Sequence, residues 1–165
     1  DPTLSRIVAA YRACCEHRTS HQAADLPQSV AEVGVAMAAH YGNRLAVLAP
    51  DLSRQGYRFE SADYCGILDG DESRGSHLLY VSADRSRVLS LFSVPRRDCF
   101  DNLGSSQATR GEEPRYYELP QPEGAALGVS VWHKDATTYV MCAEIPPKRL
   151  ERLVDGVRTG QVELK

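Results

Sequence analysis

Residues 77–94 read HLLYVSADRSRVLSLFSV, two apolar runs on either side of Ala83-Asp84-Arg85-Ser86. A polar link this short makes the flanking runs antiparallel neighbours. Within the second run, Leu89, Leu91 and Ser93 share one face, and Ser90, Phe92 and Val94 share the other. The same pattern returns downstream. Leu127 to Lys134 and Thr138 to Glu144 are rich in β-branched and aromatic residues and flank the turn His133-Lys134-Asp135-Ala136. Upstream, Tyr57 to Phe59 and Tyr64 to Leu68 also read as strands, which gives a four-stranded meander followed by a hairpin.

Outside this region the period changes to that of a helix. Leu4, Ile7, Val8, Tyr11, Cys14 and Cys15 lie on one face of a helix running from Thr3, its expected N-cap, to about Arg18. A second helix is expected from Pro27 to Tyr41, with Val30, Val33, Met37 and Tyr41 as its stripe and Gly42-Asn43 as its stop. A turn of helix is expected between Asp51 and Gln55. A closing helix starts at Pro146-Pro147 and turns Leu150, Leu153, Val154 and Val157 inward. Pro95 to Gly124, interrupted by Gly104, Gly111, Pro114, Pro120 and Pro122, reads as a long irregular loop, the kind that carries function or moves.

The expected fold class is therefore α+β: an antiparallel sheet of about five or six strands with N-terminal helices and a C-terminal helix packed on it. One domain is expected over residues 1–165. Its helical part is 1–56, its sheet 57–145 with the loop at 95–125, and its last helix 146–160. At 42% hydrophobic and 25% charged the composition is that of an ordinary folded chain. A net charge of −3 and the lack of a basic stripe argue against nucleic acid as a partner. No apolar run reaches the roughly 20 residues needed to cross a bilayer. The start at Asp1 reads as that of a piece cut from a longer protein.

Catalytic motifs do not emerge. G-x-S-x-G, the P-loop and G-x-G-x-x-G are all missing. Asp69, Asp71 and Glu72 lack the remaining ligands of a calcium loop and read as a solvated acidic turn. Three thiol readings remain. Cys14, His17 and His21 are spaced i, i+3 and i+7; if the first helix continues past Arg18 they stack on one face, where one sulfur and two imidazoles could hold a transition metal, the one cofactor considered. The bland alternative makes Cys14 and Cys15 small core residues. Cys99 follows Arg96-Arg97 at the start of the long loop, where positive charge favours the thiolate, and is the redox candidate. Cys65 and Cys142 read as core cysteines of two strands or, in an oxidising compartment, as a cross-strand disulfide. His40, His77 and His133 read as structural or surface histidines, and Trp132 as a core anchor.

Three stretches together resemble one family: DLSRQGYRFESADYCGIL at 51–68, LLYVSADRSRVLSLFSVP at 78–95 and GVSVWHKDATTYVMCAEIPPKRLERL at 128–153. Their pattern is similar to that of the extracytoplasmic domain of membrane-anchored bacterial anti-sigma factors. The matching positions are Asp51, Leu52, Gly56, Tyr80, Val88, Ser90, Leu91, Phe92, Trp132, Tyr139, Ile145, Pro146, Leu150 and Leu153. The chain departs from it at Lys134-Asp135-Ala136, where the family prefers a glycine-rich turn, and in its five cysteines. The resemblance implies a non-catalytic regulatory domain on the periplasmic face of a bacterial inner membrane. It implies control of sigma-factor-dependent transcription through an envelope, redox or metal signal. It also implies a protein partner, and a membrane contact only through a transmembrane helix outside this chain. The competing expectation is a small-molecule-binding domain or small enzyme with its site between the long loop and the sheet.

Overall fold

The alternation of apolar residues in the strands is satisfied by one six-stranded antiparallel sheet buried on both faces. The computed structural model describes residues 1–16, 22–103 and 113–163, with side chains 161–163 left undescribed. The strands are β1 (Tyr57–Asp63), β2 (Ser76–Ser82), β3 (Val88–Pro95), β4 (Arg115–Leu119), β5 (Leu127–Lys134) and β6 (Thr137–Ala143), ordered β1-β2-β3-β6-β5-β4. The helices are α1 (Pro2–Glu16), α2 (Val30–Tyr41), the short α3 (Asp98–Asp101) and α4 (Pro147–Glu163). The α+β expectation, with helices from both ends of the chain on an antiparallel sheet, holds.

β3, β5 and β6 each feed two cores, one on either face of the sheet. Leu78, Tyr80, Leu89, Leu91, Trp132, Tyr139 and Met141 face α2 and α4. Phe92, Val94, Val129, Val131, Val140 and Cys142 face α1, where they meet Ile7 and Tyr11. The register Leu91↔Met141 and Phe92↔Val140 keeps the two sets apart, because a slip of one residue would exchange them. Trp132 is the anchor expected, buried and stacked on Tyr139.

Residues 45–52 cross the first face as a strap between α2 and β1. Leu45, Leu48 and Leu52 are buried, so the strap's backbone polar groups need partners other than water. The sheet supplies them from side chains. Ser93 Oγ accepts the Leu48 N–H at 3.1 Å and Thr137 Oγ1 the Ala46 N–H at 3.1 Å. The Tyr139 hydroxyl donates to the Ala46 carbonyl at 2.6 Å and the Tyr80 hydroxyl to the Pro50 carbonyl at 2.7 Å. Polar groups on core-facing positions of β2, β3 and β6 thus hold down a segment that is neither α-helix nor strand.

Several local expectations change. The first cap is Asp1, not Thr3: Asp1 Oδ1 accepts the Thr3 N–H at 2.7 Å, with Pro2 in the first-turn position it favours. The second helix begins at Val30 instead of Pro27, because Ser29 caps it by accepting the Glu32 N–H. Tyr64 to Leu68 is not a strand. β1 runs on through a bulge near Glu60 to Asp63, and the chain then leaves the sheet until Ser76, so the meander has three strands. The stretch 95–125 is not wholly irregular, since it contains α3 and the edge strand β4, which pairs with β5 from Arg115↔Val131 to Leu119↔Leu127.

Candidate functional site

The excursion between β1 and β2 returns under tight steric control. A Cβ on Gly66 would lie 2.6 Å from the Ser73 carbonyl oxygen, and one on Gly75 would lie 1.9 Å from that of Ser93. Only glycine lets these backbones approach so closely. The Gly75 N–H donates to the Cys65 carbonyl at 3.0 Å and the Tyr41 hydroxyl to the Gly75 carbonyl at 2.7 Å. These contacts place Cys65 beside the first residues of β2.

His77 is the second residue of β2, opposite Asp63 on one side and Phe92 on the other. Its ring is fully buried and stacks on Phe92, with centroids 3.9 Å apart and planes 11° from parallel. That stacking fixes the imidazole plane and directs its Nδ1 toward the last turn of α1. There Cys14 Sγ stands 3.0 Å from Nδ1. Cys14 Sγ, Cys65 Sγ and a ring nitrogen of His77 all lie within 4.8 Å of one another. Cys14 and Cys65 are half-buried.

The three groups act on one another chemically. A hydrogen bond from the Cys65 thiol holds the Cys14 thiol below its ordinary value, against burial and the neighbouring charges of Cys15 and Asp63. Cys14 is therefore primed toward the thiolate, the form that binds metals and attacks electrophiles. Cys142 is the opposite case, its thiol pushed far up by complete burial. A cleft of about 550 Å³ opens onto Cys65 and is lined also by Asp63, Tyr64, Asp69, Asp71 and Arg74. Three carboxylates at this mouth favour the approach of a cation. Arg6 of α1 reaches Asp69 at 3.7 Å, a second, exposed link between α1 and the excursion.

Of the metal ligands expected from sequence, Cys14 is in the cluster. His17 and His21 lie outside the described residues. Cys65 and His77, taken as core or structural residues, are the partners that sequence reasoning missed. The signal was present in Gly66 and Gly75, whose spacing brackets a tight return, but only pairing shows where that return ends. The suggested Cys65–Cys142 cross-strand bridge is not formed. Cys65 lies off the sheet, and none of the five cysteines is in a disulfide.

Cys99 sits in α3, half-buried against the α1-side core. The arginines before it are engaged elsewhere. Arg96 Nε donates to Asp101 Oδ1 at 2.9 Å, and Arg97 to the Glu72 carbonyl at 3.2 Å. The same region holds a second polar node. His133 Nδ1 meets Thr138 Oγ1 at 2.8 Å, and its Nε2 stands 3.3 Å from Asp101 Oδ1. Burial, then the Arg96 charge, lower the His133 pKa, and Asp101 opposes them. Arg115 donates to the Asp101 and Leu103 carbonyls, so β4, α3 and β5 are tied together at this point. Glu118, on the edge strand, is exposed.

No described helix is long and apolar enough to cross a membrane. Compared with known proteins, the chain matches no family model, no curated protein and no solved structure.

Proposed function

We propose that this chain is a non-catalytic sensing domain of the kind borne outside the membrane by membrane-anchored anti-sigma factors. On this reading it receives a chemical signal at the Cys14–Cys65–His77 cluster and passes it to a protein partner. The observation that carries the reading is that the three reactive side chains come from three separately positioned elements: α1, the β1–β2 excursion and β2. A change in chemical state there alters how firmly α1 is held to the sheet, because the cluster joins the end of that helix to β2 and to the excursion before it. A regulatory domain needs such a two-state element, biased by its signal. The resemblance over 51–68, 78–95 and 128–153 supplies the regulatory context: a stalk or inner segment whose exposure depends on the state of this domain.

The test is a promoter reporter in bacteria carrying the full-length protein and its sigma factor. The reporter should respond to a thiol-reactive or soft-metal challenge. Cys14→Ser, Cys65→Ser and His77→Gln should each blunt that response, whereas Cys99→Ser should leave it intact. A response unchanged by all three cluster substitutions would remove the cluster from sensing.

A second reading has its own observation. A thiol 3.0 Å from an imidazole nitrogen, beside an open cleft, is also the geometry of a nucleophile and its base. Turnover of any thioester or peptide substrate by the purified chain, abolished by Cys14→Ser, would favour that enzyme reading.

A further inference from the structure

We propose that the Cys14–Cys65–His77 cluster is a binding site for one monovalent copper ion. The proposal rests on the reading of this cluster as the signal-receiving site and names its ligand. Donor chemistry comes first. Two sulfurs and one imidazole nitrogen are soft to borderline ligands. They reject magnesium, calcium and manganese, which take oxygen, and leave copper(I) and zinc as the biologically common candidates.

Among the described donors, coordination number favours copper(I) over a structural zinc. A structural zinc is closed by four protein ligands. Among the described residues no fourth His, Cys, Asp or Glu joins the group that converges within 4.8 Å. Three ligands in a plane suit a d10 monovalent ion, which accepts trigonal coordination readily.

The dimensions require only a small adjustment. With metal–sulfur and metal–nitrogen bonds of about 2.3 and 2.0 Å, trigonal ligands have sulfur and nitrogen roughly 3.7 Å apart. The present Cys14–His77 separation is 3.0 Å, so the thiol withdraws by less than an ångström as the ion enters. A rotation about the Cys14 side chain supplies that shift, while the Phe92-stacked ring of His77 stays in place. Two thiolates and a monovalent ion leave one net negative charge. The half-exposure of both cysteines and Arg74 in the adjoining cleft moderate its cost. Binding joins the end of α1 to the sheet by coordinate bonds in place of the hydrogen bonds that Cys14 makes with His77 and Cys65.

The experiment uses the purified chain, reduced and held without oxygen, titrated with copper(I) against a chromophoric copper(I) chelator. Native mass spectrometry and X-ray absorption accompany it. The expected result is one copper per chain, in a three-coordinate environment of two sulfurs and one nitrogen. Cys14→Ser, Cys65→Ser and His77→Gln should each weaken binding by more than the roughly 100-fold typical of lost outer-shell partners. Cys99→Ser and Cys142→Ala should retain it. Circular dichroism separates ligand loss from misfolding, and wild-type competition with zinc(II) needs no variant at all.

Tighter retention of zinc(II) than copper(I), or copper uptake that survives all three cluster substitutions, overturns the proposal. Failure of copper to bind a chain whose cluster substitutions still silence the reporter also overturns it, while leaving the sensing function in place with a different signal. If copper binds as expected and the reporter ignores the three substitutions, the site stands and the sensing reading falls.

Discussion

Replacing Ile7 by alanine tests whether α1 is a separately docked element. Ile7 is the one fully buried aliphatic side chain of that helix, and its other buried residues are Thr3 and Tyr11. Truncating a buried isoleucine to alanine costs about 2–5 kcal/mol, the sum of lost transfer energy and the cavity left behind. Because about 1.4 kcal/mol is a factor of ten, the undocked population of α1 should rise at least roughly 30-fold. The sheet core on the α1 side keeps Phe92, Val129, Val131 and Val140 packed among themselves, so the penalty falls on docking before it falls on the sheet. Hydrogen exchange followed by mass spectrometry reads this directly. Amides of Pro2–Glu16 should lose protection by about the factor given, while those of β3, β5 and β6 keep theirs. The Cys14 thiol pKa should rise in parallel, since undocking removes the Cys65 hydrogen bond that lowers it. Equal acceleration of exchange in α1 and in β3 and β6 would refute the reasoning. It would mean that helix and sheet open only together, leaving no separate docking equilibrium for a signal to act on.

Other outcomes follow from the same structure. In the folded chain, limiting iodoacetamide near neutral pH should label Cys14 well before Cys142, because the first thiol is held toward its thiolate and the second is buried and pushed up; peptide mapping that finds Cys142 modified first would contradict both assignments. His133 has a folded pKa below its ordinary value, so the unfolded chain binds its proton more readily. Its contribution to stability is therefore complete above about pH 6.5 and is lost as pH falls from there through the folded value. Urea unfolding at about pH 7.5 and about pH 5 should show that loss in the native chain and a smaller one in His133→Gln. Ser93→Ala strands the buried Leu48 N–H and should destabilise by about 1–3 kcal/mol in the same assay, whereas a change near zero would mean that the strap finds another partner. Gly75→Ala drives a Cβ into the Ser93 carbonyl and should cost at least as much while pulling Cys65 off His77, which a loss of the low Cys14 thiol pKa would register.

Short-range features were legible from the sequence. The run at 77–94 fixed a hairpin, because a link as short as Ala83-Asp84-Arg85-Ser86 between two apolar runs leaves the chain little else to do, and β2 and β3 pair as expected from Ser76↔Ser93 to Val81↔Val88. The closing helix kept Leu150, Leu153, Val154 and Val157 inward because that stripe is set by 3.6-residue periodicity alone. Elements that depend on a partner were less legible. Arg115–Leu119 carries no strong alternation of its own and is a strand because β5 offers it a free edge. Tyr64 to Leu68 carries strand-forming residues yet leaves the sheet, since Gly66 within it and Gly75 beyond it allow the close backbone approach that shapes a loop there.

The candidate site shows the same division more sharply. From spacing along one helix, Cys14 could be joined to His17 and His21, and the two histidines read as its partners for want of any longer-range information. In the folded chain Cys14 meets His77, 63 positions away, and Cys65. Sequence by itself determined the α+β class, the helix stripes and the reactive residue types, because periodicity and turn chemistry act over a few residues. Tertiary structure alone decided which of those residues share a site. That depends on the register of β2 against β1 and β3 and on the docking of α1, both set by burial summed over the whole chain.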